Sequence, residues 1–212
     1  MRSKNRLKEM AVGVVMGVLF SAAVVLAGGL EPGEGPTTAG SQGKSSIYLP
    51  IVLNLGGSSS LRFMNNLNGT VTDNLTGLIW LTNANCANAT RDWATALSDV
   101  VALNTNGTMN GTNCSDISNG GSHQIDWRLP KVTELVSLID VAYHDPALSN
   151  AAGTAKWTTG DAFTGVQSSW YWSSTTVADL PDIAWYVNLY DGYRYLDDKT
   201  NTNYVWPVRG GQ

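Results

Sequence analysis

All eight tryptophans of this 212-residue chain fall between Trp80 and Trp206, and that clustering constrains the fold more than any other feature. Large aromatic side chains contribute most when they are buried, so the hydrophobic core belongs to the part of the chain from Leu61 onward. That stretch of about 150 residues is the usual size of one domain. Trp80, Trp93, Trp127, Trp172, Trp185 and Trp206 are expected in its core. No internal repeat at a solenoid period is present.

The pattern within this stretch is mixed. Residues 63–72 and 78–81 read as short strands around the turn-prone Asp73-Asn74-Leu75-Thr76-Gly77. Residues 90–103 read as a helix capped by Thr90 or Asp92, with Trp93, Ala96, Leu97, Val100 and Val101 on one face. Residues 104–121 form a polar, Gly- and Asn-rich loop that carries Cys114. A second helix is expected over 130–141, with Pro130 in its first turn and Val132, Leu135, Val136, Leu138 and Ile139 as its buried stripe. Residues 170–174, 183–189, 192–196 and 204–208 read as strands. Helices followed by a group of short strands make the class α+β.

The amino-terminal part reads differently. Arg2, Lys4, Arg6 and Lys8 precede an apolar run over 10–26, and Val25-Leu26-Ala27 ends on small or tolerated residues before Gly28. Residues 1–27 therefore read as a signal peptide. The alternative is an uncleaved anchor, since about 17 apolar residues just span a bilayer. No Cys follows Ala27, which argues against a lipoprotein anchor there. Both readings place the rest outside the cytoplasm: secreted, periplasmic or at the cell surface. Residues 28–60 read as a flexible linker rich in Gly, Pro, Ser and Thr. Its short apolar run over 47–53 is either an edge strand, restricted by Pro50, or part of a tether.

Charge and cysteine usage narrow the partners. The chain has 13 basic and 17 acidic residues, of which four basic and one acidic lie in residues 1–27. What remains is strongly acidic, which disfavours nucleic acid and anionic lipid as partners and gives no general attraction for sulfated polysaccharides. Membrane contact is expected only through an uncleaved amino-terminal segment. Cys86 and Cys114 are the only cysteines. In an oxidising compartment they are expected to pair. A zinc site is the alternative, but two cysteines without a nearby His pair make a poor ligand set.

Five blocks resemble a known family. Val71-Thr72-Asp73-Asn74-Leu75-Thr76-Gly77-Leu78-Ile79-Trp80 resembles the opening motif of the Lcl C-terminal domain family. Trp127-Arg128-Leu129-Pro130, continuing to Glu134-Leu135, resembles its central motif. Tyr171-Trp172-Ser173-Ser174-Thr175, then Ala184-Trp185-Tyr186-Val187-Asn188-Leu189, and finally Val205-Trp206-Pro207-Val208-Arg209-Gly210-Gly211 resemble the later blocks, in the family's order. The resemblance implies a C-type-lectin-like fold, two helices beside a twisted, loop-rich antiparallel sheet, over residues 61–212. The best-known member's domain is a surface adhesin module for sulfated glycosaminoglycans, and most relatives have no assigned ligand. The family brings no catalytic residues.

Two sets of residues are candidates for ligand contact. Asp179, Asp182, Asp191, Asp197 and Asp198, with Asn188, Asn201 and Asn203, offer hard oxygen ligands for calcium. The triplets of sugar-binding C-type lectins and an Asp-x-Asp-x-Asp-Gly loop are both missing, and turn-forming Asp and Asn are the alternative. Calcium is the one cofactor considered, through Asp179, Asp182, Asp197 and Asp198. The second set is aromatic: Trp157, Trp170, Tyr190, Tyr193 and Tyr195 are candidate sugar-stacking rings. Tyr193 and Tyr195 share a strand face, while Arg194 points to the other. Trp170, Tyr190, Asp191, Tyr193 and Tyr195 form the expected ligand-binding set.

Enzyme readings fare poorly. His123 and His144 are the only histidines, and no Gly-x-Ser-x-Gly elbow surrounds a serine. The formylglycine-generating enzymes, related through the implied fold, need a reactive cysteine pair late in the domain, whereas Cys86 and Cys114 are early. Arg128 is expected to pair with Glu134 or Asp126 as a structural residue. The chain is therefore expected to bind a glycan or protein ligand at the cell surface, through residues 160–205, and to catalyse nothing. The alternatives are a structural, homo-oligomerising domain of the cell envelope and a variable target protein of a diversity-generating retroelement.

Overall fold

A computed structural model of the chain describes residues 61–210. The signal-peptide segment, the linker and its apolar run over 47–53 lie outside the described residues. The described part is α+β, with two helices and three small antiparallel sheets in place of the one sheet expected.

The first sheet begins with a correction. Residues 63–72 form a hairpin rather than one strand: β1 (Phe63–Asn65) turns through Asn66-Leu67-Asn68-Gly69 into β2 (Thr70–Asp73). Asn65 Oδ1 accepts from Leu67 N at 2.9 Å, and Asn66 N donates to Thr70 O at 3.0 Å. The Asn-Gly dipeptide at the turn was the available signal. Buried Asp73 then organises the expected turn, accepting from Leu75 N at 3.0 Å and Thr76 Oγ1 at 2.9 Å. The chain returns as β3 (Ile79–Leu81), and the last strand, β9 (Val208–Arg209), completes the order β1-β2-β3-β9.

Helix α1 (Trp93–Asn106) starts later and ends later than expected. Asp92, not Thr90, is its N-cap, its carboxylate accepting from Thr95 N at 2.9 Å. The buried face is Ala96, Asp99, Val100 and Leu103. Val101, expected on that face, is 63% exposed because it lies across the helix axis from it. Inside the expected loop over 104–121 sits a second sheet, β4 (Thr108–Met109) and β5 (Thr112–Asn113), turned at Asn110-Gly111. Cys86 and Cys114 form the expected disulfide, with Cα atoms 5.4 Å apart, and join this region to the segment before α1.

Helix α2 (Val132–Leu138) is seven residues, shorter than the span of 130–141 expected. Pro130 falls before it and leaves its carbonyl to accept from Ser174 N at 2.8 Å. Glu134 accepts from Lys131 N at 2.7 Å, closing the first turn. Val132, Leu135 and Leu138 are buried, whereas Val136 is exposed and Ile139 is already extended.

The third sheet runs β6 (Trp170–Val177), β7 (Leu180–Asn188), β8 (Arg194–Asp198), in that spatial order. The segment before β9 was expected to be a strand over 204–208. It instead runs beside β6 first, with Trp172 N donating to Tyr204 O at 3.0 Å, and reaches β3 only at its end. Pro207 has no N–H for a ladder, but its carbonyl accepts from Leu81 N at 3.2 Å. One segment thus links two sheets.

The core is an aromatic cluster. Phe163 stands edge-on to Phe63 at 4.9 Å and to Trp206 at 4.8 Å, and Trp206 meets Trp80 at 5.5 Å. Trp80, Trp127, Trp172 and Trp206 are buried; Trp93 and Trp185 pack against the core half-buried. Three of the four buried indole N–H groups find acceptors: Trp206 on Leu81 O at 2.9 Å, Trp172 on Arg91 O at 2.8 Å and Trp127 on Asp116 at 2.8 Å, while that of Trp80 has none among the described residues.

Candidate functional site

The β6-β7-β8 sheet carries a continuous strip of rings. The register sets Tyr186 opposite Trp172 on one side and Tyr195 on the other. Trp170, two residues from Trp172, shares its face and reaches Tyr186 diagonally. The ring centroids lie 5.5 Å apart for Trp170 and Tyr186, 5.6 Å for Tyr186 and Tyr195, and 6.4 Å for Tyr195 and Tyr193. Trp170 is 47% exposed, Tyr193 66% and Tyr195 42%, so three of the four rings face solvent. Arg194 lies over Trp185 at 5.4 Å, on the other face of the sheet, as strand alternation requires.

The β7–β8 turn gives the strip its polar edge. Asp191 accepts from Tyr193 N at 2.9 Å, and its other oxygen accepts from Asn188 Nδ2 and from the Tyr195 hydroxyl, both at 3.2 Å. Gly192 has φ +80°, and a Cβ there would sit 2.7 Å from Ile139 Cγ2. The turn is also held by Asp145 N on Tyr190 O at 2.8 Å and Ala147 N on Leu189 O. It is a fixed platform.

Burial and the Asp197, Tyr195 and Asp191 charges raise the Tyr186 phenol above its ordinary pKa. Partial desolvation, then the hydrogen bond to Asp191, does the same for Tyr195. Both hydroxyls stay neutral in ordinary buffers.

The expected residues divide. Trp170, Asp191, Tyr193 and Tyr195 come together. Tyr190 is exposed but turned toward His144, at 6.4 Å between rings, and makes no ring contact with the strip. Trp157 packs against the core and donates to Phe163 O at 3.3 Å. Tyr186 was not among the expected ligand residues. Its signal was its place two residues before Asn188 in a strand, but the partners on both sides follow only from the register.

The acidic residues do not assemble for calcium. Among the described residues, no three His, Cys, Asp or Glu side chains are placed to hold one metal ion. Asp197 accepts from Asn201 Nδ2 at 2.6 Å and Asn203 Nδ2 at 3.3 Å, and Asp198 caps Thr200 N at 2.9 Å. Asp179 lies in the β6–β7 turn and Asp182 near the start of β7. The Asp197 and Asp198 carboxylates serve their own loop, which is the alternative use of Asp and Asn.

Arg128 meets Glu134 through paired hydrogen bonds of 2.7 Å and Gly210 O at 2.9 Å, while Asp126 pairs with Arg209 at 2.7 Å. Of the two partners open to Arg128, Glu134 is the one used.

These features define a disulfide-tied α+β domain whose exposed chemistry is a ring strip edged by amide and carboxylate. The model of the Lcl C-terminal domain matches residues 69–209. The chain belongs to the Lcl C-terminal domain family, a domain of uncertain function. No curated protein matches the chain.

Proposed function

We propose that this is an exported surface-binding domain, with no catalytic role, that recognises a neutral glycan on the strip of Trp170, Tyr186, Tyr195 and Tyr193. One observation carries the reading: four rings in sequential contact, three of them exposed, held by a fixed turn. Exposed aromatic faces stack on the C–H faces of pyranose rings, and Asn188 and Asp191 offer a donor and an acceptor to hydroxyls. The acid groups beside the strip and the acidic chain favour an uncharged glycan over a sulfated one. The disulfide supports an oxidising, extracytoplasmic location. Kinship with the C-type-lectin-like fold is part of this reading. It is supported by the two helices, the loop-rich antiparallel sheets and the pairing of β9 with β3.

A glycan array probed with the full chain, with calcium and again with chelator, tests it. Binding to neutral glycans is expected, unchanged by chelator and about tenfold weaker (~1.4 kcal/mol) in Tyr195→Ala. Binding lost on chelation, or retained in full by a variant lacking Trp170, Tyr193 and Tyr195, would sink it.

A second reading, self-assembly, is favoured by β8 being a sheet edge with Leu196 45% exposed. Light scattering at high concentration separates the two, since a strict monomer removes assembly.

A further inference from the structure

A second cleft, sharing no residue with the strip, lies between the tip of the β1–β2 hairpin, the chain after β3 and the chain after β5. Its volume is about 440 Å³, within the range of about 300–1,000 Å³ usual for small-molecule sites. Its walls are joined by backbone bonds: Thr82 N to Gly69 O at 2.9 Å, Ile117 N to Asn68 O at 2.9 Å and Ala84 N to Thr164 O at 2.8 Å. Gly69 has φ +87°, and a Cβ there would run into the Ser115 carbonyl, so only glycine lets the two walls approach. The disulfide at Cys114 anchors one wall. The cleft is preformed.

Its chemistry is one-sided. Asn68, Asn83 and Asn113 each use Oδ1 to accept a backbone N–H two residues on, from Thr70 at 3.2 Å, Asn85 at 2.9 Å and Ser115 at 2.7 Å. A backbone N–H can only donate, so these bonds fix which amide atom is oxygen. Each Nδ2 is left with no acceptor among the described residues. The buried Thr82 hydroxyl, on a residue that also lines the cleft, has no partner either. No charged side chain lines the cleft. Leu67, 89% exposed at φ +58°, and Ile117, 52% exposed, add apolar surface to the lining.

The geometry points to a binding site for a neutral N-acetylated sugar. Uncommitted amide donors match the acetamido oxygen and ring hydroxyls. Leu67 and Ile117 match the acetamido methyl, and the lack of a cation disfavours a carboxylate or sulfate. The inference goes beyond the strip and does not depend on it.

Saturation-transfer NMR on the full chain, with N-acetylglucosamine and glucose as probes, tests the site. Transfer to the acetamido methyl is expected, with little to glucose. The triple change Asn68→Asp, Asn83→Asp, Asn113→Asp keeps each turn acceptor and removes each donor, so at least a tenfold loss of affinity is expected. Leu67→Gly, which suits positive φ and removes only an exposed apolar group, should also weaken binding and covers the case in which the triple variant fails to fold. The proposal is overturned by equal transfer to both sugars, by none to either, or by unchanged binding in both variants. It is also overturned if the signal vanishes in Trp170→Ala but persists in the triple Asp variant, which would assign it to the strip.

Discussion

Asp116 and Glu134 are carboxylates drawn into the protein and kept ionised there. Burial raises the pKa of each, and hydrogen bonds outweigh it: from Gln124 N, Ser118 and the Trp127 indole for Asp116, and from Arg128 and Lys131 N for Glu134. Both therefore lie below the ordinary carboxylate range. With folded values depressed, the unfolded chain binds more protons in acid. The stabilisation is complete above the unfolded pKa values, near 4, and is lost as pH falls through the folded ones. Urea midpoints measured from pH 7 down to pH 3 should be nearly level at first and drop below about pH 4. Glu134→Gln should flatten that drop, and an unchanged slope would contradict the assignment. Sequence left Arg128 with Glu134 or Asp126 as its partner, and the fold selects Glu134. Sequence was silent on Asp116, whose partner Trp127 becomes a neighbour only through the fold.

At the scale of elements, the β7–β8 turn matters most for the proposed site. It sets Asp191 between Tyr193 and Tyr195, and Gly192 permits both its φ and its seat on Ile139. Gly192→Ala should destabilise the domain by about 1–2 kcal/mol, because a Cβ is disfavoured at positive φ and meets Ile139. Glycan affinity should fall with it, as measured by denaturation and titration of the same sample. A stable variant with full affinity would show that the turn does not position the strip. Helix α2 shows why element lengths escaped sequence reasoning. Its apolar pattern continues to Ile139, yet Ile139 leaves the helix to bridge Leu148. A tertiary partner ended the element where periodicity did not.

Across the whole molecule, long-range ties substitute for long secondary structure. The carboxy-terminal segment joins β6 to β3, and the disulfide joins residues 28 apart in sequence. In the chain-entropy account, a closed loop of that size stabilises by about 3 kcal/mol. Cys86→Ser with Cys114→Ser should lower the Tm by roughly 6–12 °C, read by calorimetry under oxidising conditions. N-acetylglucosamine binding at the cleft should weaken further than glycan binding at the strip, because Cys114 lines only the cleft. A Tm unchanged within error would mean that the bond adds nothing to the fold.

The sequence by itself determined the family, the α+β class, the tryptophan-built core, the pairing of Cys86 with Cys114 and three of the four rings of the strip. These rest on local pattern and on residue types whose burial or pairing is strongly favoured wherever the chain folds. Only the tertiary structure decided that Tyr186 joins the strip and Tyr190 leaves it. It alone divided the expected single sheet into three, turned Asp197 and Asp198 into loop acceptors, and brought Asn68, Asn83 and Asn113 to one cleft. The physical reason is common to all of these. Strand register and the meeting of distant loops depend on partners far along the chain, and local propensity carries no information about them.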